Sequence, residues 1–131
     1  MALYTELPIY KATYDFLLEI YKGTQQNIPR DIKYTLVEEL KKDVMGILIL
    51  IYTANATRDK LPHLKEARHL LIQATIRLRV LHDLKVMGRR KYAHLSLKAE
   101  EVSKQLSGWT KYIKDRSASD DDSKNSMNRN G

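Results

Sequence analysis

The side chains in this sequence that could do chemistry are four histidines, two pairs of neighbouring carboxylates and many lysines and arginines. His63, His69, His82 and His94 fall at no metal-ligand spacing. On a helix, at roughly 100° per residue, His69 and His82 point about 140° apart and cannot share one ion. The same geometry splays Glu38 from Glu39 and Glu100 from Glu101 by about 100°, so neither pair can act as a catalytic dyad. No phosphate-binding glycine loop, nucleophile elbow or zinc-protease motif occurs. These residues read as solvated helix faces. No catalytic residue, metal site or cofactor is expected, and the chain is not expected to be an enzyme.

The cations are more informative. Fifteen basic and six acidic residues lie between Arg58 and Arg116, against six and seven in residues 1–57, so the formal charge of +7 is localised. A basic half on helical sequence is the footprint expected for a polyanion such as RNA or DNA; a merely soluble basic surface is the plainer reading. Arg68 and Arg79 lie within about 20° of each other on the outer side of a helix. Arg89, Arg90 and Lys91 crowd a turn, near the end of one helix, where cations also favour the dipole, and Lys85 is a further candidate nucleic-acid contact. Lys104 and Lys111 lie one heptad apart on the next helix. Arg77 falls on an apolar side, where an unpaired charge is very costly. It either pairs with Glu38, Glu39 or Asp43 or lines a wet surface that meets phosphate. Tyr92 could stack a base or serve as an ordinary core or rim tyrosine.

The elements that position these residues are helical. A chain of 131 residues suits one domain, and its scarce Gly and Pro and 43% hydrophobic content suit an all-α fold. The absence of cysteine excludes disulfides and thiolate metal sites and fits a cytoplasmic protein. MALYTELPIYK lacks the pattern of a secretory signal. The uncharged stretch that opens at Val44 falls short of the roughly twenty residues that span a bilayer, so no membrane role is expected.

Leu7-Pro8 predicts the start of a first helix over about 8–23, with Leu7, Tyr10, Tyr14, Leu17 and Tyr21 as its stripe and Gly23 as a left-handed cap. A second helix, about 31–58, carries a seam of Leu36, Leu40, Val44, Ile47, Ile51 and Ala54. A third, about 62–87, carries Leu64, Ala67, Leu71, Ala74, Leu78 and Leu81. A fourth, about 90–116, carries Leu95, Ala99, Val102, Leu106, Trp109 and Ile113. Together they predict an antiparallel up-and-down four-helix bundle over residues 1–116. Residues 117–131, with little to bury, are expected to be a disordered polar tail. Two extra apolar rows remain, Met45, Ile49 and Tyr52 on the second helix and Ile72, Ile76 and Val80 on the third. They fit a central bundle helix or, as we prefer, a subunit interface.

Three local matches then suggest a family. Asn27-Ile28-Pro29-Arg30 opens the second helix, Ile76-Arg77-Leu78-Arg79-Val80-Leu81 crosses the third, and Gln105-Leu106-Ser107-Gly108-Trp109 closes the fourth. In their order and spacing, from about Leu7 to Arg116, they resemble the accessory variability determinant (Avd) proteins of diversity-generating retroelements. These belong to the wider four-helix-bundle family first noticed in intervening sequences of ribosomal RNA genes. The resemblance implies a homopentamer that binds nucleic acid and a reverse transcriptase, in support of mutagenic cDNA synthesis. It assigns Arg77 and Arg79 to the family's basic third-helix segment. The acidic Asp120-Asp121-Asp122 departs from the basic tail of many relatives. The alternative is a structural or protein-interaction bundle of the intervening-sequence type, with no nucleic-acid role.

Overall fold

A computed structural model describes residues 3–129, with side chains described through residue 119. Each helix starts and stops for a local reason. After a 3-10 turn over Tyr4–Glu6, Leu7 is extended and Pro8 opens α1 (Pro8–Gly23), where a missing N–H leaves no bond unmade. The expected left-handed cap at Gly23 does not form, since no described glycine has a positive φ. Buried Thr24 closes the helix instead, its Oγ1 donating to the Ile20 carbonyl at 2.7 Å. Asn27, at φ 64°, then turns the chain into Ile28-Pro29. Gly23 matters for its size, because a Cβ there would lie 3.3 Å from Cδ of Lys91.

Helix α2 runs from Arg30–Ile32 through a π-helical turn, Lys33–Val37, into Glu38–Ala56. The wider turn shifts the register before the α-helical part. Val37 is thereby fully buried, while Leu36, expected in the seam, is only half-buried. Lys60 ends α2: its Nζ donates to the carbonyls of Ala54 (2.7 Å), Asn55 (3.2 Å) and Thr57 (2.8 Å), groups a helix C-terminus leaves without partners. Its own carbonyl accepts from His63 and Leu64, starting α3 (Leu61–Asp83).

Helix α3 stops at Asp83, short of the expected residue 87. Lys85 adopts φ 63°, its N–H bonds the His82 carbonyl at 2.9 Å, and that of Val86 reaches back to Leu81 at 3.1 Å. This pair of bonds is a Schellman cap, and it folds Met87 into the core. Helix α4 (Arg89–Arg129) continues beyond Arg116, where composition predicts order to end. No glycine or proline follows Trp109 within it to break the helix; residues 130 and 131 of the expected tail lie outside the described residues. At about 1.5 Å per residue α4 is about 60 Å long and α3 about 35 Å, so α4 projects past the bundle.

The helices pack in a ring, α1 against α2, α2 against α3, α3 against α4 and α4 against α1, and among the described residues the backbones of diagonal helices do not approach one another. Named contacts give the directions. Tyr4, in the turn that precedes α1, meets Tyr52 of α2, and Tyr21 of α1 meets Lys41 of α2. Asp15 and Glu19 of α1 meet Lys98 and His94 of α4. Arg68 and His82 of α3 meet Ser103 and Tyr92 of α4. All of these pairs are antiparallel, so the bundle is up-and-down.

The expected α3 seam is buried at every position, as are Leu95, Ala99, Val102 and Leu106 of α4. The α1 stripe is the exception. Its core residues are Ile9, Thr13, Phe16, Leu17 and Ile20, whereas Tyr14 and Tyr21 remain 46% and 45% exposed.

Candidate functional site

The bundle sorts its cations into those already engaged and those left over. Arg77 is engaged: its Nε donates to Asp43 Oδ2 at 2.8 Å across the α2–α3 contact. Burial pushes the Asp43 carboxyl up, and the hydrogen bond and charge of Arg77 offset only part of that shift. Of the two readings open for Arg77, the ion pair is the one realised. Arg79 sits on both carboxylate oxygens of Asp83 at 3.1 Å, and Asp83 and Tyr92 hold its guanidinium above its ordinary pKa. Lys98 bonds Asp15 at 2.5 Å, which raises its pKa. His94 bonds Glu19 at 3.0 Å and holds that carboxyl below its usual range. Tyr92 has one ring face covered by His82, stacked at 4.4 Å.

Arg68 does not lie on the outer side expected for it. Its long side chain reaches across to α4 and donates to Ser103 Oγ (2.6 Å), the Ser103 carbonyl (3.0 Å) and Ser107 Oγ (2.5 Å). None of these partners is charged, so Arg68 is held in place without an ion pair among the described residues.

Lys65, Lys85, Arg89, Arg90, Lys91, Lys104, Lys111 and Lys114 form no ion pair among the described residues. Six of them gather at two places. Lys65, Lys111 and Lys114 join Arg68 around a groove of about 660 Å³ between α3 and α4, with Leu61 and Leu64 on its wall and Asp115 at its edge. Arg89, Arg90 and Lys91 border a hollow of about 680 Å³ against the end of α1. These three form the first turn of α4, so the α4 dipole adds to their positive potential instead of offsetting it. Lys85 and Lys104 are exposed and line neither hollow.

Sequence reasoning missed Lys65 and Lys114. The signal for them is spacing: Lys65 and Arg68, like Lys111 and Lys114, are three residues apart and so share a helix face.

The extra apolar rows are exposed in the single chain. Ile49 and Ile76 are each 58% exposed, and Met45, Tyr52, Ile72 and Val80 are exposed beside them. Tyr4 and Tyr10 extend the α2 row in an edge-to-face chain from Tyr52, and Tyr10 stacks on Tyr14. Among the described residues no three His, Cys, Asp or Glu converge as a metal site, and no helix is long and apolar enough to cross a membrane.

A family model described as bAvd-like matches residues 7–113. No curated protein matches the chain significantly.

Proposed function

The chain belongs to the bAvd-like family, as its local motifs suggest, and from that membership and its uncompensated cations we propose a non-enzymatic, nucleic-acid-binding accessory to a retroelement reverse transcriptase. Family membership supports the coarser part, an accessory role in a diversity-generating retroelement. The observation that carries the nucleic-acid reading is the division of the cations. Arg77, Arg79 and Lys98 are neutralised within the fold, whereas Arg68, Lys111 and the Arg89-Arg90-Lys91 turn keep their charge available. Phosphates would meet that surface without base readout, since no element here presents side chains to a groove. The working form is a cytoplasmic homo-oligomer, a pentamer by family resemblance, with Met45, Ile49, Tyr52, Ile72, Ile76 and Val80 between copies.

The test is binding of mixed-sequence RNA and DNA across a salt series. Affinity should fall steeply with salt as phosphate contacts release counterions, and it should depend little on sequence. Co-purification with a diversity-generating retroelement's reverse transcriptase tests the partner. No binding of either nucleic acid at low salt would retire this reading in favour of a protein-docking bundle.

A further inference from the structure

We propose that the α3–α4 groove built around Arg68 seats the sugar-phosphate backbone of a single nucleic-acid strand, and that Lys65 and Lys114 are binding residues there. The inference rests on the nucleic-acid reading above and narrows it to one place. A guanidinium offers five N–H donors. Three of Arg68's are held by Ser103 and Ser107, which fixes the plane and leaves two for a ligand. The Ser107 hydroxyl, accepting from Arg68, retains its own proton to donate. An ordered arginine loses less entropy on gripping phosphate than a free surface lysine does. Lys65, Lys111 and Lys114 surround it without ion-pair partners among the described residues, and Asp115 is the one carboxylate on the wall.

Geometry selects one strand over two. Packed helices stand about 8–10 Å apart, axis to axis, with their side chains interlocked, so the groove is a surface furrow in which a single backbone can lie over Arg68. A duplex is too wide to enter and would touch only the lysines on the rims. Arg68 also lines a second hollow of about 350 Å³ with Thr75, Ser96, Ser103 and Glu100. The Glu100 carboxylate repels phosphate, so the strand's path runs from Arg68 toward Lys65, Lys111 and Lys114.

The experiment is fluorescence anisotropy with short single-stranded RNA and DNA and the matching duplexes, on the full chain, with melting curves for every variant. Lys65→Glu/Lys114→Glu alters exposed side chains that hold nothing else. It should weaken single-strand binding about tenfold or more at low salt and reduce the log–log salt slope by about 1.4, two contacts at ~0.7 each. Lys11→Glu/Lys42→Glu, on α1 and α2, makes the same change in net charge and should cost less than about threefold. Arg68→Lys keeps the charge but loses the fork, and should weaken binding several-fold. Equal affinity of the groove variant and the α1–α2 control, with wild type binding normally, would overturn the groove and leave the nucleic-acid reading standing. Equal affinity for duplex and single strand would overturn the single-strand assignment. No binding by wild type would remove both readings.

Discussion

Arg77 of α3 and Asp43 of α2 are joined Nε to Oδ2 at 2.8 Å, yet their exposures are unequal: the arginine side chain is 30% exposed and the aspartate side chain 6%. Arginine deprived of its partner could turn to water; aspartate could not. The pair therefore protects the fold mainly against a stranded carboxylate.

Arg77→Ala should accordingly destabilise the protein by about 3 kcal/mol at neutral pH, the cost of breaking a buried pair from one side. The sign of its pH dependence follows from Asp43, whose folded pKa is already raised by burial. A raised carboxyl favours the fold when protonated and loses that contribution as pH rises through its folded pKa. The deficit of Arg77→Ala relative to wild type should thus shrink as pH falls from 7 toward the carboxylate range. Adding Asp43→Asn should recover part of it at pH 7. Urea melts at several pH values measure this, and a deficit that grows in acid would contradict it.

Lys85 offers the opposite case, a stabilising change. It holds φ 63° at the Schellman cap of α3, a conformation that costs a residue with a Cβ roughly 1 kcal/mol. Lys85→Gly should raise stability by about that amount. Lys85→Ala, which keeps the Cβ, should not. Thermal melts of the two variants separate backbone relief from loss of the lysine charge.

Much of the fold is legible in the sequence because the α3 and α4 seams admit one reading. Leu64 through Leu81 recur at three and four along the whole of α3, whereas its second apolar row, Ile72, Ile76 and Val80, covers only part of the helix. Helix α1 admits two. Its tyrosines and its Ile9-Phe16-Ile20 face both recur helically, and choosing the tyrosines would bury phenols that each need a hydrogen-bond partner. The bundle buries the aliphatic face and leaves Tyr14 and Tyr21 at its edge. The end of α3 is illegible for another reason: Gly88 is the residue type expected at a left-handed cap, but Lys85 occupies that conformation. Arg68 is misplaced by angle alone, since a helical wheel ignores how far a long side chain reaches sideways to Ser103 and Ser107. The surplus apolar rows show in sequence, but what covers them does not.

Those rows make the next prediction. Ile76 is 58% exposed in the single chain, so Ile76→Glu should not disturb the bundle itself. It should dissociate an assembly in which that row is covered, because it would place a charge in a desolvated contact. Light scattering should report an oligomer for wild type and a smaller species for the variant, with unchanged helical content. A wild type of 15.3 kDa at micromolar concentration would sink the oligomer.

Ending the chain after Arg116 tests the far part of α4. This stretch extends the helix beyond the bundle, and side chains 114–119 are exposed. A helix draws most of its stability from packing an apolar face, and residues 117–131 offer only Ala118 and Met127 for one, so truncation should change the unfolding free energy by less than about 0.5 kcal/mol and leave the bundle cooperative. The removed residues carry Asp120, Asp121 and Asp122 against Lys124 and Arg129, a net negative segment that phosphates would avoid. Nucleic-acid affinity should therefore hold or rise on truncation, in contrast to the loss expected for relatives with basic tails. A clear fall in melting temperature would mean that the segment packs against another copy, and a fall in affinity would assign it a contact that its charge does not suggest.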